Sequence, residues 1–281
     1  MKRLIVTADD FGVSPPVNEA IERAHREGVL TCTSLMVGAP AAADAVERAK
    51  RIPSLKVGLH VVLVDGRPVL PADEVPDLVA QDGAFRDDMA WQGARMFFLP
   101  RVRRQLAAEI EAQFRAFAGT GLALDHVNAH RHFHMHPTIA GLIARIGRRF
   151  GAQAGRVPKE PVDVLRGIEA ANARMRLLPL LDPFMALLRW RFRRQGLATN
   201  DRVFGLAWTG AMTEARWLAL IERLPDGVSE IYCHPAVTDA IPGAVPGYRY
   251  ADEFAALVSA RVKAAIAANG IELTSFSELA R

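Results

Sequence analysis

The residue types that could do chemistry are concentrated in residues 125–137, which hold five of the eight histidines. Four of these histidines alternate with other residues: His130, His132, His134 and His136. Imidazole titrates near neutral pH and is the commonest protein ligand for transition metals, so the stretch favours metal chemistry over a solvated histidine-rich turn. An extended chain would place all four rings on one face, whereas a helix would pair only the first and third. Pro137 disfavours a helix before it and suits the first turn of a helix after it, which predicts that the cluster follows a strand end.

Polar residues elsewhere occupy the same place in their own structural units. Asp9 and Asp10 follow the first apolar run of the chain, and His60 ends the third. His130 follows the fourth run, and His234 ends a late one. In a (β/α) barrel the carboxyl ends of all strands form one rim, where the chemistry is built, so these side chains would converge. Taken singly, each could be a turn cap or a half-buried histidine.

The elements that must position these residues alternate along the chain. We predict strands at 4–8, 30–37, 56–63, 122–128, 152–157, 202–206, 228–233 and 271–274, separated by helices at 15–27, 40–51, 101–118, 138–150, 213–224 and 251–268. This alternation predicts an α/β fold, most simply a single-domain (β/α) barrel over residues 1–281 with seven or eight strands, a doubly wound open sheet being the alternative. Residues 64–100 lack periodicity, which predicts a long insert or lid at the C-terminal rim.

Composition excludes several classes of protein. Half of the 281 residues are hydrophobic and the net charge is only +4, so the chain is globular, and no nucleic-acid partner is predicted. Glycine-rich phosphate-binding motifs are absent, which disfavours nucleotide cofactors. Two cysteines, Cys32 and Cys233, exclude a disulfide scaffold and favour a reducing compartment. The first apolar run is too short for a signal peptide, so we expect a cytoplasmic protein, at most peripheral to the inner face of the membrane.

One aspartate and two histidines around one ion match a catalytic metal site, which leaves positions open for water and substrate. The nitrogen-rich set favours Zn²⁺ as a single divalent ion, disfavours Ca²⁺ and leaves Mg²⁺ open. Such a metal lowers the pKa of bound water and polarises a carbonyl group. A second carboxylate could then accept the proton of the water, and a histidine could protonate the leaving group.

Four ordered motifs carry a resemblance to a known family: Thr-Ala-Asp-Asp-Phe-Gly at 7–12, Val-Gly-Leu-His at 57–60, Asn-Ala-His-Arg-His-Phe-His-Met-His-Pro at 128–137 and Tyr-Cys-His-Pro at 232–235. In these motifs the chain resembles the YdjC-like carbohydrate deacetylases, which include diacetylchitobiose deacetylase-like enzymes. The resemblance covers nearly the whole chain. It implies a metal-dependent hydrolase on a (β/α) barrel that removes acetyl groups from N-acetylated amino sugars.

The resemblance also implies a role for each residue at the predicted rim. Asp10, His60 and His130 match the metal ligands of the family. Asp9 matches its general base, and His234 matches its general acid.

For the other histidines of the cluster the resemblance implies lesser roles. His132 and His134 would lie behind the ligands or face the substrate, and His126 and His136 would be structural or exposed to solvent. Arg131 departs from the family motif, which carries a further histidine there, and this could alter the substrate pocket.

Three other segments, at 65–69, 97–101 and 204–213, resemble the hopanoid-biosynthesis-associated branch of the family. That branch implies an N-acetylglucosaminyl hopanoid glycolipid as substrate, and a chitooligosaccharide is the alternative. Two functions of other classes also use such ligands, a metal-dependent phosphoesterase and a non-catalytic sugar- or metal-binding protein. Acetate release separates the deacetylase from both.

The segment Arg174–Arg194 interleaves leucine, phenylalanine, methionine and tryptophan with six arginines. Such a surface could lie peripherally on anionic lipid headgroups. The alternative is an ordinary barrel helix whose arginines are solvated. A homo-oligomer is compatible with the sequence.

Overall fold

A parallel sheet forms the centre of the molecule in residues 1–279, the part of the chain that this computed structural model describes. Its strands are β1 (Lys2–Phe11), β2 (Cys32–Leu35), β3 (Lys56–Val61), β4 (Leu124–Ala129), β5 (Arg202–Phe204), β6 (Gly227–Cys233) and β7 (Glu272–Thr274). Their order is β4-β3-β2-β1-β6-β5, and β7 pairs with the beginning of β1. The predicted α/β barrel type is therefore confirmed, as a curled sheet of seven strands among the described residues.

Helices cover the outside of the sheet. They are α1 (Pro15–Glu27), α2 (Ala42–Lys50), α3 (Met89–Phe98), α4 (Pro100–Gly119), α5 (Pro137–Arg149), α6 (Val162–Arg166), α7 (Ala173–Leu177), α8 (Asp182–Arg194), α9 (Glu214–Arg223), α10 (Tyr250–Val258), α11 (Ala260–Ala268) and α12 (Phe276–Leu279). Short 3₁₀ turns occupy His130–Met135 and Leu178–Leu181. Proline stands in the first turn of α1, α4, α5 and α8, where its missing N–H is not needed.

The predicted strand at 152–157 is wrong, because this segment makes only isolated bridges. Val127 donates its N–H to the carbonyl of Ala154 at 3.1 Å, and Gly155 donates to Ala198 at 2.9 Å. At Val157 the side-chain amide of Asn200 takes both main-chain groups, at 2.8 and 3.0 Å, in place of a strand partner. The segment thus bridges β4 to the chain before β5 without a continuous ladder.

Two other predictions also need correction. The insert at 64–100 is not aperiodic throughout, because Asp88 caps a helix, α3, by accepting the N–H of Trp91 at 3.0 Å. The predicted helix at 251–268 is broken where the Ser259 hydroxyl accepts two main-chain N–H groups and begins α11. Among the described residues, no helix combines the length and the apolar character that crossing a bilayer requires.

Candidate active site

A cavity of about 740 Å³ opens at the carboxyl ends of the strands. All five residues predicted to converge there line it. Asp9 and Asp10 come from the end of β1, and His60 comes from β3. His130 follows β4 directly, and His234 follows β6. Residues up to 225 positions apart in the sequence therefore line one cavity, as expected from their positions at the ends of predicted strands.

A three-residue cluster lies on one side of this cavity. Nε2 of His60 is 3.3 Å from Oδ1 of Asp10, and Nδ1 of His130 is 3.2 Å from the same oxygen. One ligand atom from each residue lies within 4.8 Å of the other two. These distances are short enough for a single ion to contact all three side chains.

A bulge at the end of β1 aims Asp10 into this cluster. The pairing of β1 with β2 shifts register between Ala8 and Phe11, and Asp10 adopts a left-handed backbone with φ of 65°. Neighbours on a regular strand point to opposite faces, whereas a bulge adds a residue and re-aims a side chain. Asp9 and Asp10 therefore both line the cavity. The strained backbone at a non-glycine residue is typical of a functional position.

A chain of hydrogen bonds fixes the proton on the ring of His60. The Asp9 carboxylate can only accept, so the amide nitrogen of Asn128, 3.1 Å away, must face it. The amide oxygen of Asn128 then faces Nδ1 of His60 at 2.7 Å, and Nδ1 must carry the proton. The hydroxyl of Ser34 donates to Asp9 at 2.9 Å and lies 3.0 Å from the same ring nitrogen. In the neutral form of the ring, Nε2 of His60 therefore carries the lone pair, and this nitrogen faces Asp10.

This donor set fits a divalent cation. In the neutral imidazole, Nε2 of His60 presents a lone pair to a carboxylate oxygen of Asp10 at 3.3 Å, so a proton or a metal ion between the two atoms relieves the contact. His60 is 2% exposed, and the N–H of its Nδ1 donates to the amide oxygen of Asn128. A metal-bound imidazole usually donates from its second ring nitrogen in this way. One carboxylate and two imidazoles form a set that Zn²⁺ accepts readily.

Asp9 is held ionised by a buried arginine. Burial opposes its charge, yet Arg156, followed by His60, holds the pKa of the Asp9 carboxyl well below its usual range. Arg156 contacts the two carboxylate oxygens at 2.5 and 2.9 Å, and it also donates to Glu230 at 2.6 and 2.9 Å. Arg156 is fully buried, and the two carboxylates raise the pKa of its guanidinium despite that burial. Asp9 is therefore a charged acceptor with a fixed orientation.

Charges within the three-residue cluster favour the ionised carboxylate. Burial works against the charge of Asp10, but the nearby His130 and hydrogen bonds from both histidines hold its pKa well below the usual value. Burial also opposes the charge of His130, but Asp10 raises the pKa of this imidazole above its usual value. The carboxylate thus attracts positive charge to this point, whether that charge is a proton or a metal ion.

His234 lies on the other part of the cavity wall. Its N–H donates to the buried carboxylate of Glu253 at 2.5 Å, which fixes the main chain beyond β6. Its ring lies 5.6 Å from the ring of Tyr232 and 5.3 Å from that of Tyr248. Nδ1 of His234 has no hydrogen-bond partner in the described part of the chain. The ring is thus held at the cavity wall by aromatic contacts.

Two other histidines of the stretch at 125–137 lie near Asp9 and Arg156. His132 contacts the Tyr232 hydroxyl through Nε2 at 3.0 Å, and burial together with Arg156 lowers its pKa well below the usual value. His134 is buried against the carbonyl of Arg156, and the same two causes lower its pKa to about 3. Both rings are neutral at physiological pH. His132 lines the cavity, whereas His134 lies behind it.

The remaining histidines of the stretch, His126 and His136, do not line the cavity. His126 is fully buried, bonds Asp125 at 2.8 Å and stacks on Phe276. His136 contacts the ring of Phe97 at 6.3 Å between centroids.

Neither regular conformation considered for this stretch is adopted. Arg131 and His132 both have positive φ, so the alternating rings share neither a strand face nor a helix face. Arg131 pairs with Asp65 on the insert between β3 and α3 at 2.5 Å. Both residues line the cavity, so this ion pair forms part of its wall.

Several residues of the site were not expected from the sequence. Arg156 and Glu230 form the charged support of Asp9, and Asn128 and Ser34 orient His60. Asn128 stands inside the histidine motif, and Arg156 is the one charged residue in the run at 152–157, so both offered a signal. Glu230 and Ser34 offered none, because single polar residues in strands are common.

The chain matches a known protein family over most of its length. The family described as YdjC-like protein matches residues 3–268. The chain belongs to this family. A carbohydrate deacetylase from Geobacillus stearothermophilus is 33% identical over 98% of this chain and 96% of its own length. A carbohydrate deacetylase from Mus musculus is 31% identical over 99% and 94%.

Solved structures agree with the fold of this YdjC-like chain. A crystal structure of an Enterococcus faecalis protein, described as a candidate cellobiose-phosphate cleavage protein, superposes with a TM-score of 0.78. It is 28% identical and is matched over 100% of this chain and 99% of its own. A lactam utilization protein from Thermus thermophilus, 14% identical, has a TM-score of 0.50 over 98% and 100% of the two chains and shows the fold alone.

Proposed function

We propose that this YdjC-like protein is a metal-dependent carbohydrate deacetylase that hydrolyses the N-acetyl group of an N-acetylglucosamine-containing substrate. One observation carries the proposal: an ionised, rigidly held Asp9 lies beside a three-residue ligand set in one cavity. The names of the curated relatives, at about one third identity over nearly the full length, agree with it. The products are acetate and a free amine.

Asp10, His60 and His130 would hold one divalent ion, and Zn²⁺ suits their chemistry best. When bound, the ion supplies a Lewis acid that polarises the acetyl carbonyl and lowers the pKa of a water molecule toward neutrality. The chain supplies the geometry, because Asn128 and Ser34 hold His60 and the bulge in β1 aims Asp10.

Asp9 is the proposed general base. Arg156 keeps the Asp9 carboxylate ionised and prevents its rotation, so the carboxylate oxygens point in a fixed direction. A carboxylate with such a low pKa is a weak base, and it takes a proton only from water that has been made acidic. Asp9 therefore acts as a base only together with the metal ligands Asp10, His60 and His130. Strand β1 supplies both Asp9 and the ligand Asp10.

His234 is the proposed general acid. The departing nitrogen of an amide must be protonated before it leaves as an amine. His234 lines the same cavity from the end of another strand, and the contacts with Tyr232 and Tyr248 hold its ring in place. The proton that it donates is balanced by the one that Asp9 accepts from water.

We extend the proposal to an N-acetylglucosaminyl hopanoid as the substrate, with a chitooligosaccharide as the alternative. The volume of about 740 Å³ is within the range of sites for small ligands. Part of the wall is apolar, formed by Leu177, Leu178, Leu181 and Leu206. Such a wall suits the apolar part of a glycolipid better than a second sugar ring.

Acetate assays with three substrates test both levels of the proposal. Zinc-loaded protein is incubated with an N-acetylglucosaminyl lipid, with diacetylchitobiose and with an aryl phosphate, and released acetate and phosphate are measured. We expect acetate from the lipid in clear preference to the disaccharide, and no phosphate. A preference for diacetylchitobiose would overturn the lipid assignment, and phosphate without acetate would overturn the deacetylase itself.

A further inference from the structure

Large apolar side chains are exposed along residues 177–194, the segment from the end of α7 to the end of α8. Leu180 is 70% exposed, Trp190 is 53% exposed and Phe184 is 43% exposed. Buried side chains of the same segment, among them Met185 and Leu188, anchor it to the core. The segment therefore presents apolar side chains both to the core and to the solvent.

A second exposed apolar group lies at the end of α3. Phe98 is 73% exposed, and its ring contacts that of Phe97 at 5.0 Å between centroids. The two groups flank the beginning of α5, because Phe97 contacts His136 and the Arg191 guanidinium donates to the carbonyl of Pro137. We call residues 97–99 and 177–194 together the rim face.

The six arginines of residues 174–194 divide into two kinds. Arg189 donates to the carbonyls of Asn200 and Asp201 at 2.8 and 2.9 Å, and Arg191 is bound to Pro137, so these two hold α8 to the barrel. The other four are exposed: Arg174, Arg176, Arg193 and Arg194. The interpretation that all six arginines are merely solvated is therefore wrong for two of them and applies only to these four.

A basic groove of about 570 Å³ lies on the same helix. Lys159, Arg193 and Arg194 line it, and the Arg194 guanidinium lies 5.2 Å from the ring of Trp190. Asp182 is the one acid in its lining and pairs loosely with Lys159, at 3.7 Å. The groove therefore carries net positive charge beside an exposed indole, which suits an anionic group at a boundary between water and hydrocarbon.

The rim face is continuous with the proposed active site. Arg174, Leu177, Leu178 and Leu181 line the catalytic cavity, and Leu180 and Phe184 project outward from the same segment. A surface that covered the rim face would therefore adjoin the cavity. A sugar carried by that surface would have a short path to Asp9 and the ligand set.

We infer that the rim face docks on the surface of an anionic phospholipid bilayer, from which the substrate sugar is presented to the cavity. Single apolar side chains inserted at the interface, with arginines beside them, are the pattern of peripheral membrane anchors. Exposed arginines attract anionic headgroups, and this attraction weakens with salt. The inference deepens the proposed function, on which it rests, by naming the source of the substrate.

Vesicle sedimentation tests the docking. The protein is mixed at low salt with vesicles of phosphatidylcholine alone, or with phosphatidylglycerol added. We expect the unmodified protein to bind only to the anionic vesicles. The double variants R193E/R194E and L180E/F98E should each bind these vesicles at least about tenfold more weakly. Matched controls are L273E, an exposed leucine on β7 near the beginning of β1, and R115E, an exposed arginine on α4. These should bind like the unmodified protein.

The same variants separate docking from catalysis. With a soluble N-acetylglucosaminide, L180E/F98E should release acetate at the unmodified rate, and with an N-acetylglucosaminyl lipid in vesicles it should be at least about tenfold slower. Unmodified protein that fails to sediment with anionic vesicles, or controls that lose as much binding as the rim variants, would overturn the docking. Vesicle binding without acetate from any substrate would instead overturn the proposed function and leave docking standing.

Discussion

Replacing Arg156 with methionine removes the cation that Asp9 and Glu230 share. Arg156 is fully buried and makes four hydrogen bonds to these two carboxylates. Removing one partner of a buried ion pair typically costs about 3–5 kcal/mol, because the other partner stays buried and uncompensated. The free energy of unfolding of a domain is only about 5–15 kcal/mol, so we expect a large loss at pH 7 that urea unfolding can measure.

The pH dependence of this loss has a definite sign. In the unmodified protein Asp9 has a lowered pKa in the folded state, so its ionisation contributes stability above its unfolded pKa of about 3.9, and this is lost as pH falls toward the folded pKa. In Arg156→Met the pKa of Asp9 should rise, because burial then acts without the guanidinium. The difference in unfolding free energy between the two proteins should therefore be largest near neutral pH and smaller in acid.

Two companion variants make the test specific. Arg156→Lys keeps one positive charge and should recover part of the loss, and Glu230→Gln added to Arg156→Met should recover part by removing one buried charge. Unfolding free energies at neutral and acid pH are measured for all four proteins. A loss below about 1 kcal/mol at pH 7, within the range of exposed ion pairs, would refute this account of Asp9. So would a loss that does not change with pH.

Three further outcomes follow from the site. Asp9→Asn should keep its bound metal and lose about 10²–10⁴-fold in acetate release, and turnover near the unmodified rate would exclude Asp9 as general base. Asn128→Leu removes the acceptor that fixes the proton of His60, so metal affinity measured by competition with a chelator should fall about 10–100-fold; unchanged affinity would contradict the hydrogen-bond chain. Gly58→Ala would place a Cβ 2.5 Å from the ring of His126, so thermal unfolding should show clear destabilisation, and an unchanged melting temperature would contradict that packing.

The convergence of the site could be predicted from the sequence. Parallel strands bring their carboxyl ends to one edge, so it was enough to see that His60, His130 and His234 each stand where an apolar run ends. The bulge that aims Asp10 could not be predicted, because its left-handed backbone depends on the pairing of β1 with β2. Alternation alone would have sent Asp9 and Asp10 to opposite faces.

The prediction of a strand at 152–157 was wrong for a related reason. The run at 152–157 was predicted as a strand from the alternation of elements along the chain, but Asn200, distant in sequence, takes the main-chain groups of Val157 that a strand partner would use. The same run carries Arg156, whose position between Asp9 and Glu230 depends on three separate segments. Contacts of this kind between distant residues leave little local signal, whereas the helix starts at Pro15 and Pro137 were found from the sequence.

The central claim is that Asp10, His60 and His130 hold one divalent ion beside Asp9. The most direct measurement is the zinc content of purified protein after dialysis, by atomic emission, compared with His130→Ala and His60→Ala. We expect one zinc ion per chain in the unmodified protein and none retained in either variant, with folding verified by circular dichroism. Variants that retain the same zinc content as the unmodified protein would contradict the claim.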